Sequence, residues 1–573
     1  MSDFQGLMEK LRLRKHPSKL SELLQYVPRP VLHKARELAA EVDYSLREYA
    51  PWQIALFSAL LAITLLQLWK WALAASEDIR ERGFVQAACD FGKSLPIIRG
   101  IVQKQQAQAV AKIRASLEEK PDIGHEPFKE LPRQGEAPDK VLKRLRHKEG
   151  KDVRFPDGKS TVSGTLYLAG DDHKRLLNSV YSEFAHTNPM HGDVFPSVRR
   201  MEAEVVNMTA SLLGGGGDSE VCGAMTSGGT ESILTAVKAS RDYMRFTKGI
   251  RRPEMIIGRS AHAAFFKAAS YFNIRLIRLD LDKDHRLSPA AVKRAITSNT
   301  VLVVASSPGF PHGIMDPVPE LAKITHKRGI CLHSDACLGG FVLPFVRKRG
   351  QHHVPPFDFS VPGVTSMSVD THKFGMAHKG TSVVLYRNAD IRRHQYTGVT
   401  EWSGGLYISP GFAGSRSGAL IATAWAALVH MGLDGYMKLT DDIMKASKRF
   451  EEGVRHTEGL EVVGEPSMSV VAFKASKGGP DIYKVNDLMS RRGWHLSPLQ
   501  FPPALHMCFT AQHVDTIDSL LEDLQECVAA LKADPKCCKD GMAPMYGLAA
   551  VSPDRSLINE FLIAYQDVLL SGA

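Results

Sequence analysis

The sequence predicts an α/β protein with a large domain on a mainly parallel sheet, a smaller C-terminal α+β domain, and one transmembrane helix ahead of both. Between about residues 150 and 415, short apolar strands alternate with helices, which is typical of a parallel sheet covered on both faces. After residue 416, paired helices are followed by short strands. Residues 52–75 form an apolar run of membrane-spanning length. The predicted segments are 1–51, 52–75 (transmembrane), 76–150 (connector), 151–415 (large domain), 416–535 (small domain) and 536–573 (tail).

Composition places the chain among globular proteins. The 573 residues are 44% hydrophobic and 23% charged, which excludes a mostly disordered or polytopic membrane protein. The net charge of +10 suits phosphorylated substrates or an anionic membrane surface, and it is weak evidence for nucleic acid, so no nucleic-acid partner is predicted. Eight scattered cysteines without a CxxC pair predict free thiols in a reducing compartment and no metal site.

The apolar run WQIALFSALLAITLLQLWKWALAA contains a single charge, Lys70, near one end, where its ammonium can reach the interface. Trp52 at one end, and Trp69 and Trp71 at the other, suit the two membrane interfaces. About 50 polar residues precede the run, so a cleaved signal peptide fits badly. The alternative is a buried core helix. The basic stretch LKRLRHKEGK in the connector is interpreted as a solvated linker or helix face.

The predicted large domain begins with a helix at 198–214, and a glycine turn at 226–231 opens the next helix. Ser288 is the expected N-cap of a later helix, and a further helix is predicted over 316–329. Apolar, β-branched segments predict strands at 254–258, 274–280, 300–307, 330–336, 365–370 and 381–387.

The smaller domain is predicted to start with helices at 416–432 and 435–452. LEVVGEP, SVVAFKA and HMCFT are interpreted as strands, and YKVNDLMSRRGW and VDTIDSLLEDLQECVAALKA as helices. LINEFLIAYQDVLL in the tail is predicted to be a last helix.

The glycine turn is a candidate phosphate site. Glycines let backbone N–H groups approach an anion, and the helix that follows adds the positive end of its dipole. The candidate residues are Ser227, Gly228, Gly229 and Thr230. A plain glycine turn with a threonine cap would have the same sequence, so the motif alone leaves both interpretations open.

Two further candidates follow predicted strands. Asp335 lies at the carboxyl end of a strand, the edge where ligands bind in open α/β sheets, and its carboxylate could hold a protonated heterocyclic nitrogen. Lys373 follows an apolar strand, a setting suited to Schiff-base chemistry. Taken singly, Asp335 could instead cap a turn and Lys373 could be an exposed lysine at the end of its strand.

The ordered set of glycine turn, His262, Asp335 and the His372-Lys373 pair resembles the pyridoxal-phosphate enzymes of the aspartate-aminotransferase fold (fold type I), in the branch that holds the group II decarboxylases. The resemblance covers roughly residues 150–535. It implies that Lys373 forms the Schiff base with the cofactor, Asp335 pairs with the pyridine nitrogen and His262 stacks on the ring. It also implies that residues 227–230 hold the cofactor phosphate beside His372.

A closer resemblance is carried by AHTNPMHGDVFPSVRRMEAEVV, TSGGTES, SAHAAF, VDTHKFG and TEWSGGLY, which are similar to the sphingosine-1-phosphate lyase family. It implies that Tyr167, His191 and Lys379 bind the substrate phosphate and that Asn188 belongs to the cofactor site. It also implies a homodimer with shared active sites, in which Tyr407 reaches the neighbouring subunit. Without the resemblance, Tyr167 would be a packing residue, His191 a turn residue and Lys379 a surface charge.

The resemblance implies retro-aldol cleavage of the C2–C3 bond of a phosphorylated long-chain base, giving a long-chain aldehyde and phosphoethanolamine. Four groups are candidates for the base that accepts the 3-hydroxyl proton: Lys373, Tyr407, a histidine and the phosphate itself. The resemblance also implies that the protein crosses the endoplasmic reticulum membrane once, with its catalytic domain in the cytosol. The alternatives are an amino-acid decarboxylase on the same fold and a membrane-anchored scaffold with an inactive site.

Overall fold

The computed structural model describes residues 49–82, 130–149, 160–350, 354–538 and 555–570, and the single residues 33, 100, 104, 107, 111, 128 and 152. Most of the predicted segments 1–51 and 76–150, the side chain of Trp71, and residues 539–554 of the tail lie outside this set. The chain forms two compact units, Met1–Glu118 with Pro553–Ala573, and Glu119–Ser552.

The first unit contains the predicted membrane-spanning segment. Helix α1, Pro51–Arg82, includes it and runs seven residues past the predicted end at Ala75. The reason for the extension is that SEDIRER contains neither Gly nor Pro and is rich in residues compatible with a helix. Pro51–Lys70 is long and apolar enough to cross a membrane, and none of this stretch is buried. Trp52 and Trp69 are both exposed.

The second unit is built around a seven-stranded sheet in the order β1-β7-β6-β5-β4-β2-β3. Neighbours from β3 to β6 pair in parallel, whereas β7 is antiparallel to both β6 and β1, so β1 runs parallel to β6. The predicted strands are confirmed, and β1 was not predicted. The bounds are β1 Cys222–Thr226, β2 Glu254–Gly258, β3 Arg275–Leu279, β4 Thr300–Ser306, β5 Cys331–Asp335, β6 Ser366–Val369 and β7 Ser382–Tyr386.

Helices surround this sheet. Ser288 caps its helix as predicted, because its hydroxyl accepts the N–H of Ala291. None of the residues of α2 is buried, which confirms the interpretation of its basic stretch as a solvated helix. The bounds are α2 Pro138–Glu149, α3 Asp171–Phe184, α4 Pro196–Leu212, α5 Gly229–Lys248, α6 Ala264–Tyr271, α7 Pro289–Ala295, α8 Val318–Lys327, α9 Leu343–Arg349 and α10 Ala389–Arg392.

The two helices predicted after residue 416 are confirmed: they follow one another in α11, Gly418–His456, and are separated by a kink at Gly432. Gly432 has φ 55° and ψ 179°, a conformation that a glycine adopts without the steric cost of a Cβ. An exposed hairpin that was not predicted, β8 Thr397–Trp402 and β9 Gly405–Ser409, precedes this helix.

A second, antiparallel sheet with the order β10-β11-β13-β12 follows α11. It packs with the second half of α11 and with two further helices around a core that includes Phe450, Phe473 and Phe509. The two predicted helices and all three predicted strands are present, whereas β12 was not predicted. Since both sheets lie within Glu119–Ser552, a separate small domain stays a prediction. The bounds are β10 Leu460–Val462, β11 Val470–Ala475, α12 Ile482–Arg491, β12 Ser497–Gln500, β13 Pro503–Cys508, α13 Ile517–Ala533 and, in the first unit, the predicted last helix α14 Arg555–Leu570.

The topology brings the motifs to one place. Because β1, β5 and β6 are parallel to one another, their carboxyl ends meet at one edge of the sheet. The glycine turn follows β1, Asp335 ends β5, and the segment that leads to Lys373 follows β6. The glycine turn, Asp335 and the segment that carries Lys373 therefore lie at the same edge of the sheet.

Buried neutral histidines predict an acid-sensitive fold. Burial lowers the pKa to about 4 for each of His312, His333, His506 and His513. An unfolded chain binds protons on these groups near pH 6.5, so the unfolded state holds more protons as the pH falls and the folded state loses stability between about pH 6.5 and 4. Each group can contribute up to about 3 kcal/mol over that window.

The measurement is the free energy of unfolding by urea at a series of pH values. His312→Asn should reduce the loss of stability between about pH 6.5 and 4, the acid limb of the profile, because His312 is buried and its pKa is lowered to about 4. His456→Asn, at an exposed site, is the control and should leave the limb unchanged. A free energy of unfolding that is constant from about pH 7 to 4.5 would contradict this prediction.

Candidate active site

The centre of the site is an ion pair between Lys373 and Asp370. Lys373 Nζ lies 2.8 Å from Asp370 Oδ2, and the Asp370 side chain is 2% exposed. Burial alone would lower the pKa of Lys373, but the charge of Asp370 outweighs it and the pKa is raised. Among the described residues, Asp370 Oδ1 is buried without a hydrogen-bond partner. The free lysine is therefore an ammonium held by a buried carboxylate.

Asp370 was not among the predicted site residues. Its position three residues before Lys373, in VDTHKF, is the sequence feature by which Asp370 could have been predicted. The carboxylate also lies 3.8 Å from His372 Nε2, and His372 Nδ1 donates to the carbonyl oxygen of Thr381 at 2.6 Å. Burial lowers the pKa of His372, so its ring is a neutral group beside this pair.

Asp335 is the last residue of β5 and is held in a fixed orientation. Its Oδ1 accepts the backbone N–H of Cys337 at 3.1 Å and the hydroxyl of Ser368 at 2.9 Å. Burial alone would raise the pKa of Asp335, but the nearby His262 and His333 outweigh it and the pKa is lowered. An ionised carboxylate in this position can keep a heterocyclic nitrogen protonated.

The glycine turn lies at the N-terminus of α5, where its donors bind a carboxylate of the same helix. The backbone N–H and the hydroxyl of Ser227 both donate to Glu231 Oε2, at 2.8 and 2.5 Å. A Cβ on Gly229 would lie 2.8 Å from both carboxylate oxygens of Asp370, so only glycine allows this close approach. Thr230 is exposed in the first turn of the helix. The turn therefore adjoins the Lys373–Asp370 pair.

His262 lies just before α6, at the same edge of the sheet. Its Nδ1 accepts the backbone N–H of Ala264 at 3.1 Å, and the residue is exposed to solvent. Its ring is close enough to Asp335 to lower the pKa of that carboxyl. An exposed imidazole fixed beside the carboxylate is available to a planar ring bound there.

Two of the three predicted phosphate residues meet next to Lys373. Lys379 Nζ lies 4.7 Å from the centroid of the Tyr167 ring, a cation–π distance. Tyr167 is buried, stacks edge to face with Phe374 at 5.0 Å, and its hydroxyl lies 4.0 Å from Cys508 Sγ. Burial raises the pKa of Tyr167 well above its usual value, whereas burial and then the charge of Lys373 lower the pKa of Lys379.

The remaining predicted residues lie in neighbouring loops. Asn188 Oδ1 accepts the backbone N–H groups of Met190 and Arg416, at 3.1 and 3.2 Å. Asn188 therefore links the turn in which it lies to the residues just before α11. His191 is exposed in the same turn. Tyr407 lies on the β8–β9 hairpin, with its ring 6.0 Å from that of Trp402. No contact joins these three to Lys373 in the described part of the chain, so their roles in the site stay predictions.

Residues 157–476 match the model of the pyridoxal-dependent decarboxylase conserved domain. The sphingosine-1-phosphate lyase of Arabidopsis thaliana is 54% identical over 74% of this chain and 78% of its own length. The chain belongs to the sphingosine-1-phosphate lyase family. Another member, sphingosine-1-phosphate lyase 1 of Mus musculus, is 40% identical over 91% of this chain and 90% of its own. The structure of the Burkholderia pseudomallei lyase aligns with a TM-score of 0.69 and 38% identity, covering 75% of this chain and 99% of that one.

A sphingosine-1-phosphate lyase of this pyridoxal-dependent family uses pyridoxal phosphate, and the residues present fit that group. Lys373 supplies a partly buried amine, Asp335 a carboxylate for the ring nitrogen, and His262 an exposed flat ring. The backbone N–H and the hydroxyl of Ser227, which here bind the Glu231 carboxylate, are donors of the kind that a phosphate group needs.

Proposed function

We propose that this protein cleaves the C2–C3 bond of sphingosine 1-phosphate and related phosphorylated long-chain bases, releasing a long-chain aldehyde and phosphoethanolamine. Membership of the lyase family supports the reaction class. The observation that carries the substrate assignment is the ammonium of Lys379 over the Tyr167 ring, next to Lys373. When bound, the cofactor supplies an electron sink for the pair left at C2 as the C2–C3 bond breaks.

The residues of the chain supply the proton transfers and the orientation. Asp335 keeps the ring nitrogen protonated, because its own pKa is lowered and it stays ionised. A base takes the 3-hydroxyl proton as C3 becomes the aldehyde carbon, and Lys373 Nζ returns a proton to C2. Asp370, at 2.8 Å, holds the Lys373 ammonium whenever that amine is free.

The phosphate site is proposed to consist of Lys379 and Tyr167, with His191 reaching it from its exposed turn. A phosphate held by an ammonium and a hydroxyl gains charge-assisted hydrogen bonds, each of about 1.5–3 kcal/mol. Tyr167 remains a donor, because burial keeps its hydroxyl protonated. An unphosphorylated base would leave the ammonium of Lys379, which lies over the Tyr167 ring, without an anion and should therefore be a very poor substrate.

Lys379→Ala should reduce kcat/KM for the phosphorylated base by about 10-fold or more, the scale of one such bond. The visible absorbance of the bound cofactor should be retained, because Lys373 is unchanged. The measurement is kcat/KM for phosphorylated and unphosphorylated sphingoid bases in both proteins. Lys323→Ala, at an exposed position of α8, is the matched control, and its kcat/KM for both bases should equal that of the parent protein. If Lys379→Ala leaves the preference between the two bases unchanged, Lys379 is a surface charge.

An amino-acid decarboxylase is the second candidate, because the matching family model is a decarboxylase domain. Lys373 and Asp335 would serve that reaction equally well, but a decarboxylase needs a cation for the substrate α-carboxylate. The two functions are separated by their products, a long-chain aldehyde from phosphorylated bases or carbon dioxide from amino acids. Carbon dioxide release without aldehyde would reverse the assignment.

We also propose that the chain is anchored by a single pass in the endoplasmic reticulum membrane, through residues 52–75, with the catalytic unit in the cytosol. Helix α1 supports the anchor. A long-chain base partitions into the bilayer by about 0.8 kcal/mol per buried CH₂, so a tethered enzyme meets its substrate there. The described cysteines, among them Cys331 and Cys508, are free thiols, which suits a reducing compartment.

A homodimer with shared active sites is proposed as well. The β8–β9 hairpin, which carries Tyr407, exposes Trp402, Leu406 and Ile408 by 57%, 86% and 72%. An exposed apolar hairpin of this kind supports contact with a second copy of the chain, in which Tyr407 would reach the partner's site.

Removal of residues 1–75 should give a soluble protein that binds cofactor and turns over substrate. The reason is that all the proposed site residues lie within the compact unit Glu119–Ser552. The measurements are sedimentation without detergent, visible absorbance and aldehyde release. A truncated protein that is folded but cannot bind cofactor would place part of residues 1–75 in the catalytic fold.

A further inference from the structure

The segment between Lys373 and Lys379 is clamped by two buried side chains from other elements. The hydroxyl of Tyr436, on α11, donates to the carbonyl oxygen of Gly375 at 2.8 Å. His173, on α3, lies with Nε2 2.9 Å from the carbonyl oxygen of Met376. Tyr436 is 4% exposed and His173 is 2% exposed. Two consecutive carbonyl groups are therefore each held by one buried donor.

The clamped segment is a tight turn with an unfavourable backbone conformation. Met376 has φ 58°, a left-handed conformation that is unfavourable for a residue with a Cβ. A Cβ on Gly375 would lie 2.5 Å from the carbonyl oxygen of Thr371. The turn is closed from inside by the N–H of Met376 on Lys373 O and the N–H of Ala377 on Thr371 O, both at 3.0 Å. The carbonyls of Gly375 and Met376 are thus bound by side chains of α11 and α3.

Both clamping side chains are themselves fixed. The Tyr436 ring packs against those of Phe341 and Phe345, with centroids 5.5 and 5.7 Å away. A carbonyl oxygen only accepts, which assigns the proton to His173 Nε2. Its Nδ1, 2.9 Å from His430 Nδ1, then accepts a hydrogen from that ring. A neutral His173 satisfies both contacts at once.

Neither side chain touches the proposed phosphate site, yet the turn they clamp carries Lys379. We propose that His173 and Tyr436 are positioning residues that hold the Gly375–Met376 peptides so that Lys379 Nζ stays over Tyr167, and that they thereby set the selectivity for the phosphorylated substrate. Lys379 follows Met376 by three residues, so a rotation of these peptides moves its ammonium. Charge-assisted hydrogen bonds depend steeply on geometry. The inference rests on the proposed function, because it requires Lys379 to bind the substrate phosphate.

Tyr436→Phe is the mildest test, since it removes one hydroxyl and keeps the ring. The preference for phosphorylated over unphosphorylated base, as the ratio of kcat/KM, should fall by about 3- to 10-fold, the scale of one hydrogen bond. The change should appear mainly in KM, and the inhibition constant of inorganic phosphate should rise by a similar factor. The visible absorbance of the cofactor should be unchanged. His173→Ala should have a larger effect of the same kind, and His173→Gln, which keeps an amide donor, should restore part of the preference.

Tyr483→Phe is the matched control. Tyr483 is also buried, and its hydroxyl donates to the carbonyl oxygen of Leu499 at 2.6 Å, within the C-terminal sheet region. Both variants should lower the thermal midpoint to a similar extent, but only Tyr436→Phe should change the preference. If both variants leave the preference unchanged, or both change it equally, the clamp has a structural role only and the proposal is overturned.

A double variant that combines Tyr436→Phe with Lys379→Ala separates a failure of the positioning role from a failure of the phosphate site. If the clamp acts through Lys379, Tyr436→Phe should add nothing to the loss of preference in the Lys379→Ala protein. An equal effect of Tyr436→Phe in the presence and absence of Lys379 would overturn the positioning role while leaving the phosphate site intact. If Lys379→Ala alone leaves the preference unchanged, the phosphate site of the proposed function fails, independently of the behaviour of Tyr436.

Discussion

Lys373→Ala should abolish turnover and remove the visible absorbance of the bound cofactor, while the protein stays folded. Lys373 is the amine at the centre of the site, 2.8 Å from a carboxylate that is 2% exposed. The substitution removes both the covalent link to the cofactor and the group proposed to return a proton to C2. Activity should therefore fall to the level of the uncatalysed reaction. The measurements are aldehyde release, absorbance of the purified protein and the far-ultraviolet circular dichroism spectrum.

Stability needs its own control, because Lys373→Ala leaves the buried carboxylate of Asp370 without its cation. The double variant Lys373→Ala with Asp370→Asn removes both charges and should recover thermal stability without recovering activity. Lys379→Ala should keep the absorbance that Lys373→Ala loses. A Lys373→Ala protein with parental turnover would refute the assignment of the cofactor lysine.

Asp335→Ala should retain some cofactor but lose about 100-fold or more in turnover, the scale of removing one preorganised electrostatic group from an active site. The electron sink depends on a protonated ring nitrogen, and Asp335 is the carboxylate proposed to hold that proton. Asp335→Asn keeps the shape of the side chain without its charge. It should lose activity to a similar extent, which would assign the loss to charge rather than to a cavity.

Asp316→Asn is the matched control for Asp335→Asn. Asp316 is also a buried carboxylate, and it accepts two backbone N–H groups, from Leu287 and Ser306, both at 2.8 Å. Its substitution should lower the thermal midpoint while leaving turnover per folded molecule near the parental value. Equal losses of turnover in the Asp316 and Asp335 variants would mean that Asp335 acts through stability alone.

The alternation of strands and helices and the positions of the principal motifs were predictable, because they depend on local patterns. Strands β2, β4 and β7 are buried over their whole length, and each appears in the sequence as a short run rich in apolar residues. The glycine turn and Asp335 are each recognisable from the few residues around them. The unpredicted strands lack such a pattern. Strand β1, CGAMT, has a glycine and only two buried residues, and every residue of β8 is exposed.

The sequence by itself determined the order of the elements, the apolar helix and the residues able to bear the chemistry, because side-chain periodicity and turn residues act over a few positions. The tertiary structure alone decided which of these residues meet. Asp370 became part of the site because β1 runs parallel to β6, which brings Gly229 against its carboxylate. Tyr167 and Lys379, 212 positions apart, meet only in the fold. The physical reason is that desolvation and charge pairing depend on distances in space, which a linear pattern does not contain.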